Sequence, residues 1–498
     1  MARITVIKVE KLFGYFNYKL ALHTEEQLTI VHSPNGYGKT NLLRLINAFN
    51  KGDYSTLVSI PFRLLSIKFD DGQQVMLSRV RKAKVPTRRS KGPHQCFEVM
   101  SHSPGDQSGA SRSGIVTGQF VPLNRTADED SVPLRYPDLV IQEDGRWKLP
   151  ETGEVFTTEQ LTGGSPTQVW WQEPSWLRAS RTSCPVIFID TQRLYRAVSN
   201  TDGRPHNYRR PSALRVYSAA RELARSIRKA LDGFADLTVT LDGSFAQRFL
   251  SDADESMSEQ DEFALRDSVR QHIDTVEKRR SELAALGLID EQKEKLTVPL
   301  DRASLASLRF LSRYIVDLQV KLQVFDDLAS RLTMLRDIIN EGFFLKQLHI
   351  DKEHGFLARS TISGRPIPLS ALSTGEQHEL LMFYKLLFGT AAYTLVLIDE
   401  PELSLHVEWQ ECFIGQLQRA SQLARFDSIV ATYSPSLAGE YADLMISLSE
   451  QAGDVADLRT RYEELSHVDS WGTLEEEDED EDQDEDERGV GHADDVPF

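Results

Sequence analysis

The chain has 498 residues, 40% of them hydrophobic and 27% charged, with a formal net charge of −18. That length allows two or three domains, and that composition belongs to a globular protein rather than a fibrous or wholly disordered one. Its longest apolar runs, "VIFI" (186–189) and "LVLI" (395–398), have the length of core strands and are far too short to span a bilayer.

The charge is unevenly spread. Residues 475–487, "EEEDEDEDQDEDE", hold 12 acids and no base, and without them the chain is near −6. Such a run repels itself and predicts a disordered acidic tail over 451–498. Cys96, Cys184 and Cys412 form neither a metal spacing nor an even disulfide set. The N-terminus alternates like a strand and has no signal-peptide core. These features predict a reduced, cytoplasmic protein without a membrane segment.

In chain order, "RITVIKVE" and "YKLALHT" alternate as half-buried antiparallel strands do, and "LTIVHS" is an apolar strand entering a Gly-rich turn. "TNLLRLINAF" has helical spacing, and "LLSIKFDDGQQVMLSRV" reads as a hairpin with Asp71-Gly72 in its turn. These elements make a first segment, 1–83. Residues 84–183 are rich in Gly, Ser, Pro and Thr and predict a loop-rich β insertion. "VIFIDTQRL" returns to a buried strand in the segment 184–211.

From 212 to 343 the pattern is helical. Leu305, Leu308, Leu311, Ile315, Leu318, Leu322, Phe325, Leu328, Leu332, Leu335 and Ile338 form one stripe in steps of three and four. The stripe predicts a single helix over 304–340, about 55 Å long, in a lobe with a short coiled coil. Residues 344–450 then alternate strand and helix. An N-terminal strand–turn–helix and this C-terminal block can join into one α/β core around the insertions.

Four stretches carry chemistry. In "SPNGYGKT" (33–40) a loop between strand and helix turns backbone N–H groups inward, and the helix adds its positive end. Asn35, Gly36, Gly38, Lys39 and Thr40 are the candidate nucleotide contacts. Lys39 is expected on the β- and γ-phosphates of ATP and Thr40 on Mg²⁺. Ser33 stands where the pattern has its first Gly. In "LVLIDEPE" a buried strand ends in two acids: Asp399 can hold Mg²⁺, and Glu400 can act as general base on the attacking water. Gln192 ends another apolar strand and can touch Mg²⁺ or that water. Tyr433, in "IVATYSPS", follows the last strand, where a γ-phosphate sensor would sit. Finally, Ser373 and Gly375 in "LSTGEQ" start a second helix suited to an anion. With one phosphate cradle already present, the second makes sense on the nucleotide of another copy, which predicts a head-to-tail homodimer with two shared ATPs.

"SPNGYGKT", "LSTGEQ" and "LVLIDEPELSLH" resemble the Walker A, signature and Walker B motifs of ABC-type ATPases. "DEPELSLH" and "ATYSP" are more narrowly similar to the RecF/OLD-like branch of bacterial AAA-family ATPases, often found in phage-defence operons. The resemblance implies an ABC-type P-loop head with a β-rich insertion and a helical lobe. It assigns Lys39 and Thr40 to phosphate and Mg²⁺, Gln192 to the Q-loop, Ser373 and Gly375 to the signature, and Asp399 and Glu400 to Walker B. Tyr433 falls where this branch has a switch His. A phenol donates a hydrogen bond but carries no charge near neutral pH, so hydrolysis is expected to be slow or partner-stimulated.

The resemblance also frames the biology. One expectation is the ATPase subunit of a defence system, similar to Septu-type or PARIS-type ATPases, working with a separate effector nuclease or toxin. The alternative is a RecF- or SMC-like DNA-repair or chromosome-maintenance ATPase. A transporter motor lacks so large a helical insertion. A self-contained OLD-type nuclease needs a further domain of about 100 residues, and only 63 follow Pro435. Residues 79–91 hold seven bases and no acid, and 204–229 eight bases and one acid. Such clusters neutralise phosphates and make DNA a candidate partner.

Overall fold

The computed structural model describes residues 2–80, 94–102, 112–122, 140–141, 147–148, 155–156, 167–190, 211–251, 259–290, 299–403 and 407–452. The acidic run at 475–487 lies outside them, as does most of the basic stretch 79–91.

The centre is a five-stranded parallel sheet in the order β12 (Val186–Asp190), β16 (Leu395–Asp399), β17 (Asp427–Thr432), β3 (Leu28–His32) and β18 (Met445–Ser447). Its strands are nearly continuous apolar runs, as a sheet covered on both faces requires. Alternation divides them between two cores. Leu395, Leu397, Ile429, Ala431, Val31 and Val186 face one side. Val396, Ile398, Val430, Leu28, Ile30 and Ile189 face the other.

On the first side lies α1 (Lys39–Lys51), with Leu42, Leu43, Leu45 and Ile46 buried, followed by α2 (Tyr54–Ser59). Beyond it is a seven-stranded antiparallel sheet of β11 (Thr167–Gln172), β7 (Arg112–Pro122), β6 (His94–His102), β5 (Gln74–Arg79), β4 (Leu64–Phe69), β1 (Ile4–Leu12) and β2 (Phe16–Ala21). The 64–79 hairpin forms as expected, with Gly72 at φ +81 in its turn. Strands β6, β7 and β11, from the stretch read as an insertion, are hydrogen-bonded into this same sheet. Three two-residue strands, β8 (Val140–Ile141), β9 (Trp147–Lys148) and β10 (Val155–Phe156), form a small sheet of their own. Asn50 clamps the end of α1 to the central sheet. Its amide donates to the carbonyls of Arg181, in α3 (Ser175–Thr182), and Cys184, and its oxygen accepts from Val186 N.

The second side is helical: α4 (Pro211–Ser251), α5 (Glu259–Ala285), α6 (Leu305–Gln323), α7 (Asp326–Gly342), α8 (Thr374–Phe388) and α9 (Val407–Ala424). A small sheet of β13 (Lys346–Asp351), β14 (Gly355–Ser360) and β15 (Pro366–Ile367) separates α7 from α8 in the chain, and α10 (Leu448–Ala452) follows β18. The far half of α4 meets α6 through Phe245, Phe249 and Phe310, with ring centroids 5.2–6.2 Å apart. A bidentate Arg248–Asp317 pair and a Lys321–Asp242 pair tie the same helices.

The expected single helix over 304–340 is corrected: α6 ends at Gln323 and α7 begins at Asp326. Phe325 leaves the helix at φ −91, ψ −5 and is fully buried. The acids Asp326 and Asp327 then sit in the new first turn, where the helix dipole favours them. Leu308, Ile315, Leu322, Leu332, Leu335 and Ile338 are buried as the stripe predicted. Among the described residues no helix is long and apolar enough to cross a membrane.

Candidate nucleotide site

Strand β3 delivers the 33–38 loop to the start of α1. Gly36 has φ +95 and open space where a Cβ would stand, and Gly38 caps the helix at φ +80. A Cβ on Gly38 would lie 3.1 Å from the Phe13 ring and 3.3 Å from Leu12 Cδ2. Both positions call for glycine: both on backbone grounds, and Gly38 on space as well. Ser33 is fully buried at the position of the pattern's first Gly, and its Oγ has no hydrogen-bond partner among the described residues. Asn35 and Gly36 are exposed at the loop's crest.

Lys39 is 5% exposed, and its ammonium donates to the carbonyls of Ser33 at 2.6 Å and Pro34 at 3.1 Å. Burial lowers its pKa, while the charges of Glu400, Asp399 and Glu402 act in the opposite direction. Thr40 Oγ1 donates to Asp399 Oδ1 at 3.2 Å. This contact joins the loop after β3 to the end of β16, although β17 lies between those strands. A hydroxyl beside a carboxylate is an all-oxygen donor set suited to a hard cation. The open crest at Gly36, the buried ammonium and the Thr40–Asp399 pair together fit a triphosphate with Mg²⁺.

Glu400 follows Asp399 at φ +46, a left-handed conformation that costs a non-glycine residue about 1–3 kcal/mol. Its N–H donates to Ala431 O at 2.8 Å, which holds it across to β17. Two residues on is Glu402, 4% exposed, which the sequence reading did not single out. Glu402 Oε1 accepts from Thr432 Oγ1 at 2.6 Å and from Tyr433 N at 3.0 Å. The signal was visible as a further acid in "DEPE", but its burial was not. Tyr433 itself is 42% exposed.

Ser373 and Gly375 are not brought to this cluster. The helix they start, α8, buries Leu380, Phe383, Leu386 and Leu387 in the core on the opposite face of the sheet from α1. No hydrogen bond or ion pair joins them to the described residues of the 33–40 loop. Ser373 is exposed and caps α8: its Oγ accepts from Glu376 N, and Glu376 Oε2 accepts from Ser373 N at 2.7 Å. Lys346 donates to both Glu376 oxygens at 2.8 Å and so neutralises the acid at this helix start. This Ser-x-x-Glu capping box was legible in "STGE" but was passed over. Gln192 lies outside the described residues.

Of the basic stretches, Arg79 is spent on the carbonyls of Val58 and Ile60. Arg215, Arg225, Arg228 and Lys229 are exposed along α4.

The AAA_21 family model, described as "AAA domain, putative AbiEii toxin, Type IV TA system", matches residues 199–438. The match takes in Ser373, Asp399, Glu400, Glu402 and Tyr433 and leaves out the 33–40 loop. No curated protein matches. Among solved structures, the chain is similar to an Smc head domain with an extended coiled coil bound to the C-terminal domain of ScpA, from Pyrococcus furiosus. The two are 12% identical, 94% of this chain and 100% of that one are covered, and the TM-score is 0.32. An Smc head domain with a coiled coil and joint from Pyrococcus yayanosii is likewise 12% identical, with 90% and 95% covered and a TM-score of 0.29.

Proposed function

We propose that the protein binds Mg²⁺-ATP at the 33–40 loop and hydrolyses it in a head-to-tail pair of copies, each capping the other's nucleotide with Ser373 and Gly375. The observation that carries this reading is the 3.2 Å contact of Thr40 with Asp399, which ties a phosphate-type loop to an acidic strand end. Lys39 exchanges its carbonyl partners Ser33 and Pro34 for phosphate oxygens. Thr40 and Asp399, with Gln192, would hold Mg²⁺, and when bound it would supply positive charge to the transferred phosphate. Glu400 orients the attacking water and takes its proton. Tyr433 offers a neutral hydrogen bond from the sensor position, which makes turnover slow or dependent on a partner.

In this reading the protein is the regulatory ATPase of an anti-phage defence system and controls a separate effector nuclease or toxin. The matching family's description, a putative toxin of a type IV toxin–antitoxin system, supports a toxin-linked setting. A second reading, a RecF- or SMC-like ATPase of DNA maintenance, draws support from the exposed Arg215, Arg225, Arg228 and Lys229 on one helix.

The test is Mg²⁺-ATP hydrolysis by the purified protein beside Lys39→Ala and Glu400→Gln. Both substitutions should lower turnover by about 100-fold or more. Lys39→Ala should also lose ATP binding, and Glu400→Gln should keep it. Turnover indifferent to both would refute the assignment.

A further inference from the structure

Resting on the ATPase reading, we infer that Glu402 is a positioning residue that locks Tyr433 to the turn carrying Asp399 and Glu400, so that water activation and phosphate sensing move as one rigid unit.

The hydrogen bonds run from the buried end of β17 into a partly exposed turn. Ser434 N donates to Thr432 Oγ1 at 2.9 Å, and Thr432 Oγ1 donates in turn to Glu402 Oε1 at 2.6 Å. Tyr433 N donates to the same Glu402 oxygen at 3.0 Å. One carboxyl oxygen therefore accepts from two consecutive residues, Thr432 at the end of β17 and Tyr433 directly after it, and Ser434 is tied to it through Thr432. Thr432 is fully buried and Glu402 is 4% exposed, so water competes little for these bonds. On the far side of Tyr433, His32 Nε2 lies 3.3 Å from its carbonyl oxygen. The backbone of Tyr433 is thus held at both its N–H and its C=O, while its ring stays 42% exposed and able to meet a ligand.

Glu402 is itself fixed to the catalytic turn. It lies in the short 3-10 segment Pro401–Leu403 directly after Asp399 and Glu400. Its carbonyl accepts from Gln410 Nε2 at 3.0 Å, which anchors that segment to α9. The Glu400 N–H to Ala431 O bond forms a second rung between the same two strand ends. None of these bonds reaches a nucleotide; apart from its charge, which acts on Lys39, Glu402 acts through Tyr433.

The experiment compares Glu402→Ala, Glu402→Gln and Thr432→Val, each alone and with Tyr433→Phe, by steady-state ATP hydrolysis, ATP affinity and melting temperature. Glu402→Ala should lower kcat about tenfold or more while KM and ATP affinity stay within about threefold. Glu402→Gln keeps an acceptor oxygen of the same reach and should restore most of kcat. Thr432→Val removes one donor at constant volume and should fall between them. In the Tyr433→Phe background the added loss from Glu402→Ala should shrink to about twofold or less, because both act through one phenol. If Glu402→Ala does not fold, Thr432→Val and Glu402→Gln carry the same comparison. Additive losses, a Gln variant as damaged as Ala, or a folded Ala variant with unchanged kcat would overturn the inference. Hydrolysis unaffected by Lys39→Ala and Glu400→Gln would overturn the underlying ATPase reading, and the inference with it.

Discussion

His378 and Glu379 are adjacent on α8, buried, and answer to pH with opposite sign. Burial pulls His378 down to about 4. Burial, with the charges of Glu376 and Glu341, pushes Glu379 up to about 10. His378 therefore contributes stability that is present above the ordinary histidine pKa of 6.5 and is lost as pH falls toward 4. Glu379 contributes stability that is present below the ordinary value of 4.5 and is lost as pH rises toward 10. Glu379→Gln removes the second liability at constant shape. Its melting temperature should exceed the wild type's at pH 8, by about 1 °C for each kcal/mol recovered in a chain of 498 residues, and match it near pH 4.5. Thermal scans at the two pH values check this, and equal shifts at both would contradict it. Roles of this kind were not legible in the sequence. Lys39, Thr40 and Asp399 announce themselves by spacing, because phosphate and cation binding demand fixed residue types at fixed offsets. Glu379 and Glu402 are defined by what surrounds them, which only the folded chain supplies.

At the level of elements, legibility followed period. The unbroken apolar runs of β16, β17 and β3 carried enough to place buried strands in one α/β core, and the structure divides those side chains between the two faces of a parallel sheet. The stripe from Leu305 to Ile338 correctly gave the buried face and wrongly gave one helix. Leu322, Phe325 and Leu328 continue in steps of three across the break, so the periodicity passes through it unmarked. The acids at Asp326 and Asp327 were the available sign of a fresh helix start. Phe325 fills the corner between α6 and α7 and packs against Phe234 of α4, with the rings tilted by 37° and their centroids 5.4 Å apart. Phe325→Ala should cost about 3–5 kcal/mol, read from denaturant unfolding. A loss under 1 kcal/mol would mean that the corner is not a packing centre.

Across the whole molecule, the loop at 33–40 and the acids at 399–400 come from opposite ends of the chain and meet because β3 and β16 share one sheet. Motif order was readable in advance, but strand order was not, since nothing local in β17 says that it lies between them. The same sheet separates α1 from α8, which puts Ser373 on the far side from its own chain's phosphate loop and exposes it. A second copy would give that helix start a phosphate to meet, and a two-fold arrangement would close both sites at once. Mixing tests this most directly. Lys39→Ala and Ser373→Arg proteins should each be nearly inactive alone. Combined in equal amounts, half of the pairs are mixed, and each mixed pair holds one intact loop facing one intact Ser373. The account predicts recovery to about a quarter of wild-type ATP hydrolysis in that mixture. A mixture as inactive as its parts, or a Ser373→Arg protein fully active alone, would contradict a nucleotide site shared between copies.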